Sequence, residues 1–205
     1  SPLFVAVGGG APSPDYRIMT SSDALNWTRR FSYNGYVWEG VTSGIVSGSP
    51  LFVAVGGAAV TTSTDGITWS TPQNNGSWPS LHGITWGNGL FVAVGNGGGL
   101  NQVLTSPDGV NWTNRNSAGT AYYNDVAYGN GLFVAVAESG SPRVMTSPDG
   151  VNWTSQTSPG FWLKSITYGG GLFVAVALYT GGPFGFISSP DGITWTTGDG
   201  RGWNW

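Results

Sequence analysis

The segment TSPDGVNWT occupies residues 105–113 and returns, letter for letter, at 146–154. Looser copies read SSDALNW at 21–27, STDGITW at 63–69 and SPDGITW at 189–195. Their tryptophans, Trp27, Trp69, Trp112, Trp153 and Trp195, are separated by 42, 43, 41 and 42 residues. A second marker, LFVAV, begins at Leu3, Leu51, Leu90, Leu132 and Leu172, with separations of 48, 39, 42 and 40. Two markers running in step, with strand-like content between them, are the signature of propeller blades of four antiparallel strands. The sequence therefore predicts an all-β, five-bladed β-propeller formed by residues 1–205 as one domain.

One unit reads between 122 and 160. YNDVAYG predicts a first strand, closed by the Gly129-Asn130-Gly131 turn. LFVAVA predicts a second strand that is apolar at every position, so both its faces must be covered by neighbouring sheets. RVMTS and VNWTSQ predict the third and fourth. In Ser-Pro-Asp-Gly, Pro takes the second position of a type I turn and Gly the fourth. The Asp side chain is suited to accept hydrogen bonds from backbone N–H groups of the same turn. The Trp is expected on the outer strand, locking the turn onto the blade. The first copy carries Ala24 in place of Gly. A positive φ there costs Ala on the order of 1 kcal/mol, so the 21–25 turn is expected to be the most distorted of the five.

These residues resemble the Asp-box (BNR) repeats of sialidases and many secreted β-propellers. The family pattern is Ser-x-Asp-x-Gly-x-x-Trp, and SPDGVNW is one residue shorter between Asp and Trp. The resemblance spans all five repeats and implies a structural turn placed away from any active site. The five-fold layout, with an aromatic-bearing loop before each inner strand, is also similar to tachylectin-type five-bladed lectins.

Residues 1–30 contain second, third and fourth strands but no first strand before Leu3. GRGWNW (200–205) is expected to supply it, splitting the first blade between the termini and removing exposed sheet edges. A monomer is expected, or an oligomer if that blade's inner strand is incomplete. The longest linker, YNGYVWEGVTSGIVSGSP, is expected to project Trp38 and Glu39 locally. The chain starts at Ser1, as a processed chain would.

Composition narrows the function. Charged residues make 8% of the chain and Lys164 is the only lysine. With a formal charge of −3 and no basic run, phosphate neutralisation on nucleic acid is disfavoured. No apolar run approaches the ~20 residues of a membrane helix. There is no cysteine and one histidine, His82, so thiolate–zinc and multi-histidine metal sites are excluded. No cofactor is expected. Five acidic residues are assigned to the turns: Asp23, Asp65, Asp108, Asp149 and Asp191. Glycoside hydrolysis needs two carboxyls about 5–10 Å apart; Asp125 and Glu39 come from different blades, and no spacing couples them. A sialidase needs three converging arginines. Here Arg17 and Arg143, and likewise Arg30 and Arg115, occupy equivalent positions on different blades, which point apart. The expectation is a protein that is not an enzyme.

Each connection into an inner strand carries an aromatic: Trp38, Trp78, Tyr122 with Tyr123, Trp162 and Trp203. Most are followed by a polar residue: Glu39, His82, Asn124 and Lys164. Flat rings beside hydrogen-bonding groups suit sugars; the same rings also serve to wedge blades apart. The candidate ligand residues are Trp38, Trp78, His82, Tyr122, Asn124, Trp162, Lys164 and Trp203. Two readings stay open beside a third. One is a carbohydrate-binding propeller with several weak, related sites for glycans. Another is a structural or protein-interaction module of a larger extracellular or virion protein. The third, a hydrolase, requires carboxyls that converge in a cleft.

Overall fold

The computed structural model of the chain describes residues 3–9, 17–33, 35–178 and 185–199. All regular structure in them is strand, and no helix occurs among the described residues. The strands form five antiparallel sheets that follow one another in chain order. Sheet 1 is β1 (Phe4–Val7), β2 (Ile18–Ser21) and β3 (Thr28–Arg30). Sheet 2 is β4 (Gly40–Val46), β5 (Ser49–Gly56) and β6 (Ala59–Ser63). Sheet 3 has β7 (Ser80–Gly87), β8 (Leu90–Asn96), β9 (Asn101–Ser106) and β10 (Thr113–Asn116). Sheet 4 has β11 (Tyr122–Gly129), β12 (Leu132–Ser139), β13 (Val144–Ser147) and β14 (Thr154–Gln156). Sheet 5 has β15 (Trp162–Gly169), β16 (Leu172–Leu178), β17 (Gly185–Ser189) and β18 (Thr196–Asp199). The expected first-strand contribution from 200–205, Trp203 included, lies outside the described residues.

Two sheets have three strands where four were expected. Sheet 1 lacks an inner strand among the described residues. In sheet 2 the outer strand is reduced to one bridge, in which Val60 and Gln73 exchange N–H···O bonds of 3.0 and 2.8 Å. Beyond it the Ser70 N–H donates to Thr62 O at 2.8 Å, without a regular ladder.

The sheets pack face to face by one rule. The valine face of each meets the phenylalanine face of the next: Val92, Val94 and Val103 of sheet 3 cover Phe133, Ala135 and Met145 of sheet 4. Sheet 4 covers Phe173, Ala175 and Ile187 of sheet 5 in the same way, and sheet 2 covers Phe91, Ala93 and Leu104 of sheet 3. Alternate residues of LFVAV serve the two faces, which is why the strand is apolar throughout. Nearer the axis, an aromatic ring from each of three inner strands lies against a glycine of the preceding one: Trp86 on Gly44, Tyr128 on Gly87 and Tyr168 on Gly129. A Cβ at any of those glycines would collide with the ring.

The Asp turns are built alike. In each, one carboxylate oxygen accepts two backbone N–H bonds, as from Val110 and Asn111 to Asp108 at 2.9 and 2.7 Å. The Ser hydroxyl donates to the same oxygen, at 2.9 Å from Ser106. The indole N–H returns to the turn, from Trp112 Nε1 to Gly109 O at 2.9 Å. Trp112 and Trp153 stand just before the outer strands rather than on them. The Asn of three NWT triplets is also used here: Asn26, Asn111 and Asn152 donate from Nδ2 to the turn carboxylates.

The 21–25 turn departs most from the others, as expected, but only slightly: Ala24 makes no N–H bond to the turn serine, whereas Gly66, Gly109, Gly150 and Gly192 each donate to theirs at 2.8 Å. Ala24 takes φ 61°, against 70–74° at Gly66, Gly109, Gly150 and Gly192. The bonds of Leu25 and Asn26 to Asp23 are kept at 2.9 and 2.8 Å. The fastening is strong enough to hold Ala in the left-handed region.

Candidate functional site

Four inner strands begin with the same irregularity. Gly40, Gly83, Asp125 and Ser165 pair with Val55, Val94, Val136 and Val176, so the four positions are equivalent. The residue before each is pushed out of register. Breaks in the ladder bracket His82, Asn124 and Lys164, and Glu39 donates its N–H to Val55 O at 2.8 Å, beside the Gly40–Val55 pair. A bulge re-aims the extra side chain. All four of these side chains line one cavity of about 640 Å³. By the antiparallel topology it opens at the starts of the inner strands, the end opposite the Asp turns.

Most of its polar side chains are paired with neighbours. His82 Nδ1 lies 2.6 Å from Glu39 Oε2, across the boundary between sheets 2 and 3. Lys164 Nζ lies 2.5 Å from Glu138 Oε2, joining sheets 5 and 4. Asn124 donates from Nδ2 to Leu163 O at 3.1 Å, again between sheets. Asp125 is half-buried and reaches sheet 5, where its Oδ2 accepts from Ser165 Oγ at 2.6 Å and from Ile166 N at 3.0 Å. Burial pushes its carboxyl above the usual range, against those bonds and a third from the Val126 N–H. Tyr122 contributes a half-exposed ring to the wall.

The turn carboxyls move the other way. Asp65 and Asp191 are held at about 2, first by the N–H groups of Thr68 and Thr194 and then by those of Ile67 and Ile193. At Asp108 burial opposes the shift most, yet the Asn111 N–H and amide with the Val110 N–H outweigh it and hold it at about 2. Such carboxylates stay ionised and saturated with donors, which suits fastening and not proton transfer.

The expected ligand residues thus divide. His82, Tyr122, Asn124 and Lys164 come together in the cavity, joined by Glu39, Asp125 and Glu138. Trp38 does not project from its linker. It is fully buried, stacks on Tyr36 at 5.6 Å and donates from Nε1 to Ser32 O at 3.1 Å. Its ring fills the place that Leu81, Tyr123 and Leu163 fill in the other inner strands, all fully buried. Trp162 is exposed at the start of β15, outside the cavity. Trp78 lines a separate cleft of about 540 Å³ between sheets 2 and 3, with Trp112, Asn74, Asn75 and Asn111. Sequence reasoning placed Glu138 nowhere; it enters from the second strand, whose LFVAV marker gives no hint of it.

The described arginines do not converge. Arg17 and Arg143 donate to carbonyls in equivalent connections, those of Tyr36 and Gly160. Arg30 and Arg115 each donate from Nε to a threonine of their own sheet, Thr20 and Thr105, at 2.7 and 3.0 Å. No group of three or more His, Asp or Glu placed to hold a metal occurs among the described residues.

No sequence family and no curated protein matches the chain. Solved structures do. YCF48 bound to D1 peptide is similar at 20% identity and TM-score 0.58, over 87% of this chain and 59% of that one. Virginiamycin B lyase from Staphylococcus aureus is similar at 13% identity and TM-score 0.68, over 91% of this chain and 63% of that one. A streptogramin B lyase is similar at 14% identity and TM-score 0.69, over 90% and 61%. The chain therefore spans about three fifths of the length of these proteins. What they share with it is the β-propeller fold.

Proposed function

We propose that the chain is a non-enzymatic, carbohydrate-binding propeller whose principal site is the central cavity. The observation that carries this reading is the convergence of Glu39, His82, Asn124 and Lys164, one from each of four equivalent bulges, on a single space. The Asp-box reading is in keeping with it, since the turns lie at the other end and their carboxylates are bound within the turns. The cavity offers amide, carboxylate and ammonium partners, but Lys164 is already paired with Glu138 and His82 with Glu39. A charged ligand must break those pairs, whereas hydroxyls add to them. The Tyr122 ring provides a face for sugar C–H groups. The cleft of Trp78 and Trp112, with its three asparagines, has the same mixture and serves as a secondary site.

The test is calorimetry against a panel of neutral mono- and oligosaccharides. A single site is expected to bind at about 1 mM, near −4 kcal/mol. Tyr122→Ala and Asn124→Ala are expected to weaken it at least about ten-fold, a loss of 1.4 kcal/mol or more. If no sugar binds, or both variants bind as well as the parent, the proposal is wrong.

A second reading is a protein-interaction module. It is supported by the YCF48 structure, which was solved with a peptide. Peptide binding at the cavity, in the absence of sugar binding, would replace the first reading with this one.

A further inference from the structure

Each boundary between sheets also has an outer side, where the outer segment of one sheet lies beside the Asp turn of the next. At two boundaries this side is open as a cleft. Between sheets 2 and 3 the cleft of about 540 Å³ runs from Pro72 to Trp112. Between sheets 3 and 4 its counterpart, of about 430 Å³, runs from Asn114 to Trp153. Equivalent residues of the following turn form one wall of each, Val110-Asn111-Trp112 and Val151-Asn152-Trp153. The opposite walls differ in charge. Three residues past its own turn indole, sheet 2 places Pro72 in the wall and sheet 3 places Arg115.

Arg115 is held in place without being neutralised. Its Nε donates to Thr105 Oγ1 at 3.0 Å, and no carboxylate of the described residues pairs with it. The central cavity is the reverse case, since Lys164 there is paired with Glu138. The ladder shifts register between Arg115 and Asn116, and both line the cleft. On the far wall the Asp149 carboxylate is occupied by the backbone N–H and Nδ2 of Asn152, at 2.8 Å each. That leaves Asn152 its amide oxygen to offer. We propose that the cleft between sheets 3 and 4 binds an acidic sugar, a uronate, with its carboxylate on Arg115, while the counterpart at Pro72 takes neutral sugars. The class of ligand rests on the carbohydrate reading above; the preference for charge rests on Arg115 alone. A guanidinium tied through Nε still has both Nη groups for a carboxylate, and its plane matches that of the acid. The Trp153 ring gives a face for sugar C–H groups, and the amides of Asn114, Asn116 and Asn152 serve the hydroxyls.

Sheet 4 shows which variant to make. At the position of Arg115 it carries Gln156, which donates from Nε2 to Thr146 Oγ1 at 2.8 Å. Arg115→Gln therefore keeps the threonine contact and removes the charge. Arg30 makes the same contact with Thr20 and lines neither cleft, so Arg30→Gln is the control for net charge. Methyl β-glucuronide and methyl β-glucoside are titrated into the isotope-labelled chain, with the indole N–H resonance of Trp153 as the local reporter. The glucuronide is expected to shift Trp153 with a Kd at least about ten-fold below that of the glucoside, and about 0.5 M salt is expected to erase most of the difference. Arg115→Gln is expected to make the two sugars equal at Trp153, and Arg30→Gln to change nothing. A glucuronide preference that survives Arg115→Gln overturns the proposal, as does an equal loss in both variants. A glucuronide that leaves Trp153 unmoved overturns it as well. In that case neutral sugar binding that is lost in Tyr122→Ala leaves the central cavity's reading standing, whereas no binding of either sugar at any site brings down both.

Discussion

Glu39 and His82 hold the same bulge position on consecutive inner strands, and their side chains meet at 2.6 Å across the boundary between two sheets. The pair is a bridge between sheets as well as a wall of the cavity. Both side chains are partly in water, so its contribution is small. A double-mutant cycle of Glu39→Ala and His82→Ala is expected to give a coupling of about 0.2–1 kcal/mol. Urea unfolding at low salt measures it, and about 1 M salt should remove most of it. A coupling unchanged by salt would mean that packing, not charge, joins the two.

The ring-on-glycine contacts predict a sharp contrast along one strand type. Gly129→Ala forces a methyl into the Tyr168 ring, and overpacking of this sort costs about 1–3 kcal/mol. Gly169→Ala meets nothing within 4 Å and is expected to leave stability unchanged in a monomer. Melting midpoints of the two variants decide the matter; equal losses would show that the contact does not set sheet spacing.

Ala24 supplies a test of the turns in reverse. Ala24→Gly relieves a residue held at φ 61° and is expected to stabilise by up to roughly 1 kcal/mol. Gly150→Ala is expected to cost more than that, since its Cβ would also lie 2.9 Å from both Leu90 and Val92. Denaturant midpoints give both signs. If Ala24→Gly destabilises, the turn does not resist alanine.

Acid should act on the turns in a defined window. Asp65, Asp108 and Asp191 titrate at about 2 in the folded protein, below the ordinary 3.8. The folded state then binds fewer protons than the unfolded state between those values. Stability from these groups is complete above about pH 4 and is lost as the pH falls toward 2. Asp108→Ala is expected to lower stability at pH 7 by about 1 kcal/mol, with the deficit vanishing near pH 2. A deficit independent of pH would exclude the carboxylate as its source.

Asp125 should behave oppositely. Its carboxyl is raised, so the folded state favours its proton and the penalty for charging it grows as pH rises above 3.8. Relative to Asp125→Asn, the parent is expected to gain stability as the pH falls from 7 toward 4. Thermal melts across that range check the sign, and a loss would refute it.

The repeat was legible because two markers, the turn tryptophan and LFVAV, are each fixed by demands that recur in every unit. The turn needs its indole to return to its own carbonyl, and the second strand needs apolar groups on both faces. The polar members of the cavity were legible for a related reason: Glu39, His82, Asn124 and Lys164 each break an apolar strand at the same phase. Trp38 was misplaced because composition does not distinguish a ring buried at the strand start from one exposed two residues earlier. Its equivalents Leu81, Tyr123 and Leu163 show that this position asks for bulk of any kind. The reduced outer strand of sheet 2 was not legible, because its turn, STDGITW, matches those of the other units.

The ring resting on a neighbour's glycine also bears on ancestry. Since Trp86, Tyr128 and Tyr168 fit identical seats, a copied unit would bring both the plug and the socket for its successor. Lengthening the gene by one duplication then requires no invention of surface, and the identity of residues 105–113 and 146–154 is the trace such a copying event would leave.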